Sequence, residues 1–416
     1  MAEPFNPAET ADTSPPGGRT GRTSPIGAPT IRLIEHYGLE LSPNWTEWFD
    51  RVAESAAPAG EFREALTPDR LVDEHLDLIW PGLMPPHFLP LVGNRAGDWL
   101  CARIGPDNQI ADVVHWFHGG GDWIPWGNTI EEALVFDAVL PLLPGPGRRH
   151  AVDAEEHRQP AIPVSESACL QWALASMHDG ATEIARRAID GLAESGVDRS
   201  PRGFSMEDSA RLAETMIDQG ISEVAVRCEL VQAAEGDWPT MQTHCEAVTR
   251  VAPELAWGWE SLAKCLQAQQ QTDRARDAMM MAACCSVFTD QAVRMHAKSD
   301  LDAGEERFSM RWLRSQPQRG DLPELVESML KASTDEQLQL AHDHWRAHAA
   351  TAIESGDHAA GLEMLLMAGW HLGASSMSVY GELLCKIVEV ARQAGQNARA
   401  AVASAHLQGF RQRYGR

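Results

Sequence analysis

Hydrophobic and polar positions follow two different patterns along this chain. Between residues 31 and 143, short apolar runs are separated by glycines and prolines, and two of them (99–104 and 111–117) flank the turn Gly105-Pro106-Asp107-Asn108. Such a pair predicts a β-hairpin. From residue 165 onward, apolar residues recur at helical spacing and good helix formers dominate. The pattern predicts an α+β domain with a mixed or antiparallel sheet, followed by an all-α helical-hairpin solenoid.

The first part also contains sequence signals that predict helices. Residues 31–37 and 45–53 have helical periodicity. Thr67, followed by Pro68 and Asp69, is a typical helix start, and Leu71, His75 and Leu78 then share one face. Thr129 caps a last predicted helix over 130–140, whose first turn is acidic.

Two segments lack core-forming residues. Residues 1–30 are rich in Pro, Gly, Thr, Ala and Ser, which predicts a disordered arm. Residues 144–164 are rich in proline and charge, which predicts a linker. The expected domains are therefore 31–143 and 165–416, and we expect limited proteolysis to remove the arm, cut the linker and leave two stable fragments.

The second part contains an internal repeat. Taking Trp259 and Trp345 as starting points, small and large apolar residues follow at the same five offsets: Ala263, Leu266, Ala275, Met279 and Ala282 after the first, and Ala349, Ala352, Gly361, Leu365 and Ala368 after the second. Gly236-Asp237 and Gly356-Asp357 are expected between paired helices. Repetition of this kind predicts stacked helix–turn–helix units.

Charge and cysteine content limit the classes of function. Asp and Glu total 59 against 35 Lys and Arg, a net charge of −24. This acidity disfavours nucleic acid as the main partner and favours a basic protein, although it is also compatible with a role in solubility alone. The eight cysteines form no C-x-x-C pair, and the chain shows neither a secretory leader nor a membrane-spanning apolar run. We therefore expect a cytoplasmic protein with reduced thiols.

Three stretches of the first part resemble the SUKH superfamily, the family of the yeast cell-wall-assembly regulator and of many bacterial toxin-immunity proteins. They are Pro86–Asn94, Gly97–Cys101 and Val113–His118, with Leu39–Trp45 as an upstream element in which Ser42 interrupts the usual Leu-Pro. The resemblance covers 31–143. It implies an α+β fold with a central sheet and a protein-binding role.

The second part resembles tetratricopeptide repeats, best over residues 254–287. The matching positions are Pro253, Trp259, Leu262, Ala275 and Ala282, whereas Ala263 and Leu266 stand where the family has Gly and Tyr. The resemblance implies helical hairpins that bind proteins or peptides.

Motifs for catalysis are missing from the sequence. No phosphate-binding loop, nucleophile elbow or zinc-protease motif occurs, so we expect neither an enzyme nor a cofactor. His115, His118 and Asp122 are candidate metal ligands. Because residues three apart on a strand point to opposite faces, one ion is reached only if the strand bends after Trp116. Structural histidines, and no metal, are the favoured interpretation.

Tryptophans surround a glycine-rich loop. We predict that Trp123, Trp126, Asp122, Gly120 and Gly121 bind a partner, because exposed aromatic anchors are typical of interface hot spots. The alternative is that both indoles pack in the core, as expected for Trp116 under either interpretation. Met279, Met280 and Met281 are similarly either an adaptable surface or, for one or two of them, core.

These observations favour a non-catalytic, immunity-like protein that binds and neutralises a basic protein toxin. The alternative is an intracellular scaffold or regulatory adaptor whose helical repeats recruit client proteins or peptides. We expect no nucleic acid and no membrane among its partners.

Overall fold

The protein was analysed as a computed structural model, which describes residues 26–55, 60–81, 84–118, 123–145, 163–177, 179–195, 205–234, 236–285, 308–316, 322–368 and 377–415. Most of the predicted arm and linker lies outside these residues. The first helix nevertheless begins at Ala28, so the predicted arm extends three residues too far. Pro29 in the first turn suits a helix start, because its missing N–H has no helical partner there.

A five-stranded antiparallel sheet organises the first part, with the strands in chain order. The predicted hairpin is confirmed, with Cys101 opposite Val114 and Arg103 opposite Asp112. The second and fourth strands are almost wholly buried, which explains their nearly continuous apolar sequence. The strands are β1 (Glu64–Ala65), β2 (Phe88–Gly93), β3 (Trp99–Ile104), β4 (Ile110–Trp116) and β5 (Trp123–Gly127).

Strand β5 was not expected from the sequence, where its residues were assigned to an aromatic loop. It pairs with β4 through Trp116 and Trp123 and through His115 and Ile124. Pro125 is tolerated because β5 is the edge strand and the register shifts beside it.

Short helical segments accompany this sheet, and two of them begin at capping residues that the sequence predicted. The Thr67 side chain accepts a hydrogen bond from Arg70 N and Thr129 accepts one from Glu132 N, which confirms both predicted starts. The helix after Thr67 is broken at Glu74. The helices are α1 (Ala28–Tyr37), α2 (Pro43–Glu47), a π-helical turn (Trp48–Val52), α3 (Ala53–Ser55), α4 (Pro68–Asp73), α5 (His75–Leu78) and α6 (Ile130–Val139).

The remaining described residues are helical, and neighbours in sequence pack on each other, as the repeat pattern predicted. The fold class is therefore an α+β domain followed by an all-α array. Its helices are α7 (Ala168–Ala175), α8 (Asp179–Ser195), α9 (Met206–Asp218), α10 (Glu223–Ala233), α11 (Trp238–Val251), α12 (Ala256–Ala268), α13 (Thr272–Cys284), α14 (Phe308–Ser315), α15 (Glu324–Lys331), α16 (Thr334–Glu354), α17 (His358–Ala368), α18 (Met377–Gln393) and α19 (Asn397–Tyr414).

Two hairpins, α12–α13 and α16–α17, carry the repeated sequence positions. Ala263, Ala275, Met279 and Ala282 are fully buried in the first hairpin, and Leu365 is buried in the second. Met279 is thus a core residue, whereas Met281 is 47% exposed.

The two Gly-Asp pairs lie between paired helices, as predicted. Gly236 and Gly356 adopt positive φ angles of 93° and 87°, which glycine adopts without strain. The following Asp237 and Asp357 accept hydrogen bonds from the backbone N–H groups of Thr240 and Ala360. Each pair therefore ends one helix and caps the next.

Both ends of the helical array contact the α+β part. Near its beginning, α7 and α8 pack on α6, and α10 packs on β5. At its end, α19 returns to pack on α1 and α5. One hydrophobic core includes Leu33 and Trp116 from the first part together with Trp257 and Val402 from the array. The two parts share a core, so the expectation of two separately stable fragments is revised.

Candidate functional site

The two tryptophans predicted to anchor a partner are core residues. Trp123 is 6% exposed and Trp126 is fully buried. The Trp123 ring meets Phe88 edge to face at 5.5 Å, and the Trp126 ring meets Phe136 in the same way at 4.7 Å. Hydrogen bonding of β5 to β4 directs both indoles into the interior, which corrects the exposed-anchor interpretation in favour of packing. Gly120, Gly121 and Asp122 lie outside the described residues.

A polar cluster lies just beyond the end of β4, where the chain enters the glycine-rich stretch that precedes β5. Asp98 is at the centre of this cluster. Asp98 Oδ1 accepts hydrogen bonds from the His118 backbone N–H at 2.9 Å and from His118 Nδ1 at 2.8 Å. Asn94 reaches Asp98 Oδ2 at 3.3 Å and Glu61 Oε1 at 2.9 Å through its amide nitrogen. Gly97, at φ +106°, lies so close to His118 that a Cβ there would be 2.8 Å from the imidazole ring. The cluster therefore fixes His118 against the turn between β2 and β3.

His115 lies on the buried side of this cluster. It is fully buried, its Nε2 is 3.9 Å from Asp98 Oδ2, and its ring stacks on Phe117 at 3.8 Å. Phe62 and Trp126 meet it edge to face, each at 4.7 Å. His115 thus occupies an aromatic box, as a structural histidine does.

The chain does bend after Trp116, because His115 and His118 reach opposite oxygens of one carboxylate. The half-exposed His118 side chain donates its Nδ1–H to Asp98 Oδ1. An Asp–His pair of this kind orients an imidazole. Throughout the described ranges, no three His, Cys, Asp or Glu side chains are gathered so as to hold a metal ion.

Exposed aromatic surface lies elsewhere, where α19 crosses α5. Trp80 is 41% exposed and Tyr414 is 47% exposed. The Arg413 guanidinium lies 5.1 Å from the centre of the Trp80 ring and donates a hydrogen bond to Asp77 O at 3.2 Å. The Phe410 ring lies 5.1 Å from that of Tyr414. We call Trp80, Arg413 and Tyr414, together with the buried Phe410 that contacts Tyr414, the C-terminal seam.

Polar contacts also fix the first turn of α19, at the end of the helix opposite the seam. Arg399 donates to Ile104 O at 2.7 Å and to Gln396 Oε1 at 3.0 Å, and it also pairs with Glu363. The Ala398 N–H donates to Asn108 Oδ1 at 2.9 Å. Because these bonds span the β3–β4 hairpin and α19, they fix the last helix on the sheet.

The seam was missed from the sequence because its members lie far apart along the chain. A weak signal existed, since Trp80 precedes Pro81-Gly82 at a helix end and Tyr414 lies near an Arg-rich terminus. Neither position reveals that Arg413, the neighbour of Tyr414 in sequence, lies over the Trp80 ring. Tryptophans beside a glycine loop gave the stronger local pattern, and that pattern proved to be core.

Comparisons with known proteins identify no relative. No family model matches the chain, and neither a curated protein nor a solved structure matches it. Within the described part of the chain, none of the helices combines the length and the apolar character needed to span a membrane.

Proposed function

We propose that this protein binds a basic protein partner without catalysing a reaction, in the manner of a toxin-immunity protein. The observation that carries the proposal is the net charge of −24. A carboxylate excess of this size accelerates encounter with a cationic protein and selects against acidic competitors. Neutralisation would follow from covering the partner's functional surface.

The C-terminal seam is the surface that we assign to contact. Trp, Tyr and Arg are the residue types most enriched among interface hot spots, and the seam contains all three. Asp69 and Asp73, on the helix that precedes α5, have half-exposed side chains, and both pair with Arg32. An aromatic centre on an acidic protein suits a partner that presents lysines and arginines around an apolar pocket.

The SUKH resemblance of residues 31–143 supports the immunity interpretation, because many members of that superfamily are immunity proteins. The helical array adds surface beyond the small domain. Its return to α1 and α5 places α19 against the α+β part, so the seam includes residues of both.

An adaptor that recruits clients through its helices is the second candidate. The observation that favours it is apolar exposure on the array: Met206 is 76%, Val251 55% and Met281 47% exposed. Exposed methionines suit binding surfaces that accept several sequences.

One comparison separates the two candidates. Tagged full-length protein, Trp80→Ala and Met206→Ala are used to purify partners from the source cells, and bound proteins are identified by mass spectrometry. The immunity proposal expects a single basic protein that Trp80→Ala loses and Met206→Ala retains. Several clients lost by Met206→Ala and retained by Trp80→Ala would instead support the adaptor.

A further inference from the structure

Two histidines from different helices face each other next to the C-terminal seam. His36 lies in the last turn of α1, and His75 is the first residue of α5. Their ring centroids are 5.2 Å apart, with the ring planes inclined by 56°. Imidazoles that share one metal ion, with metal–nitrogen bonds of about 2 Å, place their centroids about 5 Å apart. The spacing is therefore that of a chelating pair.

The hydrogen bond of His75 fixes which of its nitrogens is available. Its Nδ1 lies 2.7 Å from Val72 O. A carbonyl oxygen only accepts, so Nδ1 carries the proton and Nε2 carries a lone pair. A ring N–H donated to a backbone carbonyl is also the usual orienting contact of metal-binding histidines.

Tyr37 holds both rings in place. It is fully buried, and its hydroxyl donates to Leu71 O at 2.9 Å. Its ring meets His36 edge to face at 4.6 Å and His75 at 6.4 Å. Because a buried, hydrogen-bonded ring cannot move freely, the two imidazoles are positioned against a rigid support.

Burial lowers the pKa of His36, and the neighbouring His75 and Arg32 add to this effect whereas Asp73 opposes it. Asp73, the last residue of α4, interacts with His36, and one of its oxygens is 2.7 Å from Arg32 Nη2. Asp69 Oδ1 accepts a hydrogen bond from Arg32 Nη1 at 3.0 Å. Both carboxylates of α4 therefore pair with Arg32.

We propose that His36 and His75 form a two-histidine binding site for a divalent transition-metal ion of the Zn²⁺ class, completed by water. Imidazole nitrogen is a preferred ligand of Zn²⁺, Ni²⁺ and Cu²⁺. The ion would link α1 to α5, the two helices on which α19 packs. Binding would thus stabilise the base of the C-terminal seam, whether or not the seam binds a toxin.

A second pair of histidines could also bind Zn²⁺, so the test must remove it. His344 and His348 lie one turn apart on α16 with ring centroids 4.3 Å apart, a spacing that also binds metals. The experiment therefore uses full-length protein carrying His344→Gln and His348→Gln as the reference. His36→Gln and His75→Gln are added to it singly.

Zn²⁺ alone is titrated by calorimetry, and the melting temperature is measured with and without it. The reference protein should bind one ion and melt higher with Zn²⁺. Each added variant should weaken binding by about tenfold or more, a loss of about 1.4 kcal/mol or more. Equal Zn²⁺ affinity in the reference and both variants would overturn the proposal.

A second measurement avoids dependence on variants that fold poorly. Unmutated protein is treated with diethyl pyrocarbonate, which modifies accessible imidazoles, and modified histidines are located by mass spectrometry. Zn²⁺ should protect His36 and His75 together and leave His118 reactive. Unchanged modification of His36 and His75 at saturating Zn²⁺ would contradict the site.

Discussion

His406 in the last helix and Phe88 in the second strand are joined by a buried hydrogen bond. The distance from His406 Nε2 to Phe88 O is 3.2 Å, and 318 positions separate the residues along the chain. Since a carbonyl only accepts, Nε2 carries the proton. This bond lies at the contact through which the end of the helical array holds the sheet.

Acid should weaken that contact. Burial lowers the pKa of His406 to about 4, with Arg413 adding to the effect and the bond to Phe88 opposing it. Burial likewise lowers the pKa of His87, helped by Arg399, Arg103 and His406 itself. Both histidines are therefore neutral in the folded protein and take up protons on unfolding below pH 6.5. The contribution of His406 to stability is complete above pH 6.5 and is lost as the pH falls towards 4, and that of His87 changes in the same direction.

Urea denaturation at pH 7.5 and pH 5.0 measures this loss. His406 alone should lower the free energy of unfolding by about 2 kcal/mol between these values. His406→Gln keeps a donor near Phe88 but does not titrate, so it should remove that share of the pH dependence. An identical pH profile in the variant would show that His406 does not sense acid.

Replacing the core tryptophans should destabilise the fold. Trp126→Ala and Trp123→Ala should each cost about 3–5 kcal/mol, as large-to-small changes in packed cores do. Trp80→Ala should cost less than about 1 kcal/mol, because that ring is partly exposed. Thermal melting of the three variants checks the contrast. Equal melting temperatures for Trp126→Ala and Trp80→Ala would contradict the assigned burial.

Arg399 should be necessary for docking α19. Arg399→Ala leaves Ile104 O without its donor and Glu363 without its partner, at a cost of about 3 kcal/mol. Arg392, exposed near the end of α18, provides the matched control and should tolerate alanine. Chemical denaturation of both variants tests this, and similar stabilities would argue against a docked α19.

The shared core makes a specific prediction for proteolysis. A cut within residues 146–162 should give two fragments that remain associated on size-exclusion chromatography, because the apolar surface they share is buried between them. The nicked protein should also unfold in one transition. Fragments that separate without denaturant would restore the view of two independent domains.

Local signals predicted local structure. Thr67 and Thr129 marked helix starts, the turn at Gly105 marked the hairpin, and the Gly-Asp pairs marked helix ends. Each of these depends on hydrogen bonds made within a few residues. Sequence reasoning therefore recovered the α+β part and the helical character of the array.

Contacts between distant residues were not predictable in this way. The Trp123–Gly127 strand contains a proline and follows three glycines, so its pattern was typical of a loop, and only pairing with β4 makes it a strand. His406 and Arg399 lie in an alanine-rich helix, where nothing local indicates that Phe88 and Ile104 are their acceptors. For the same reason, the sequence indicated Trp123 and Trp126 as exposed contact residues, whereas the structure buries both and exposes Trp80.

One calorimetric measurement tests the proposed function most directly. It compares the affinity of the purified basic partner for the wild-type protein and for Trp80→Ala, at low salt and at physiological salt. Wild type should bind more tightly at low salt, because the acidic surface attracts the partner. Trp80→Ala should weaken binding by about 2 kcal/mol or more at both salt concentrations, with its fold intact. An affinity that is independent of salt and unchanged by Trp80→Ala would contradict an acidic protein-binding surface centred on the C-terminal seam.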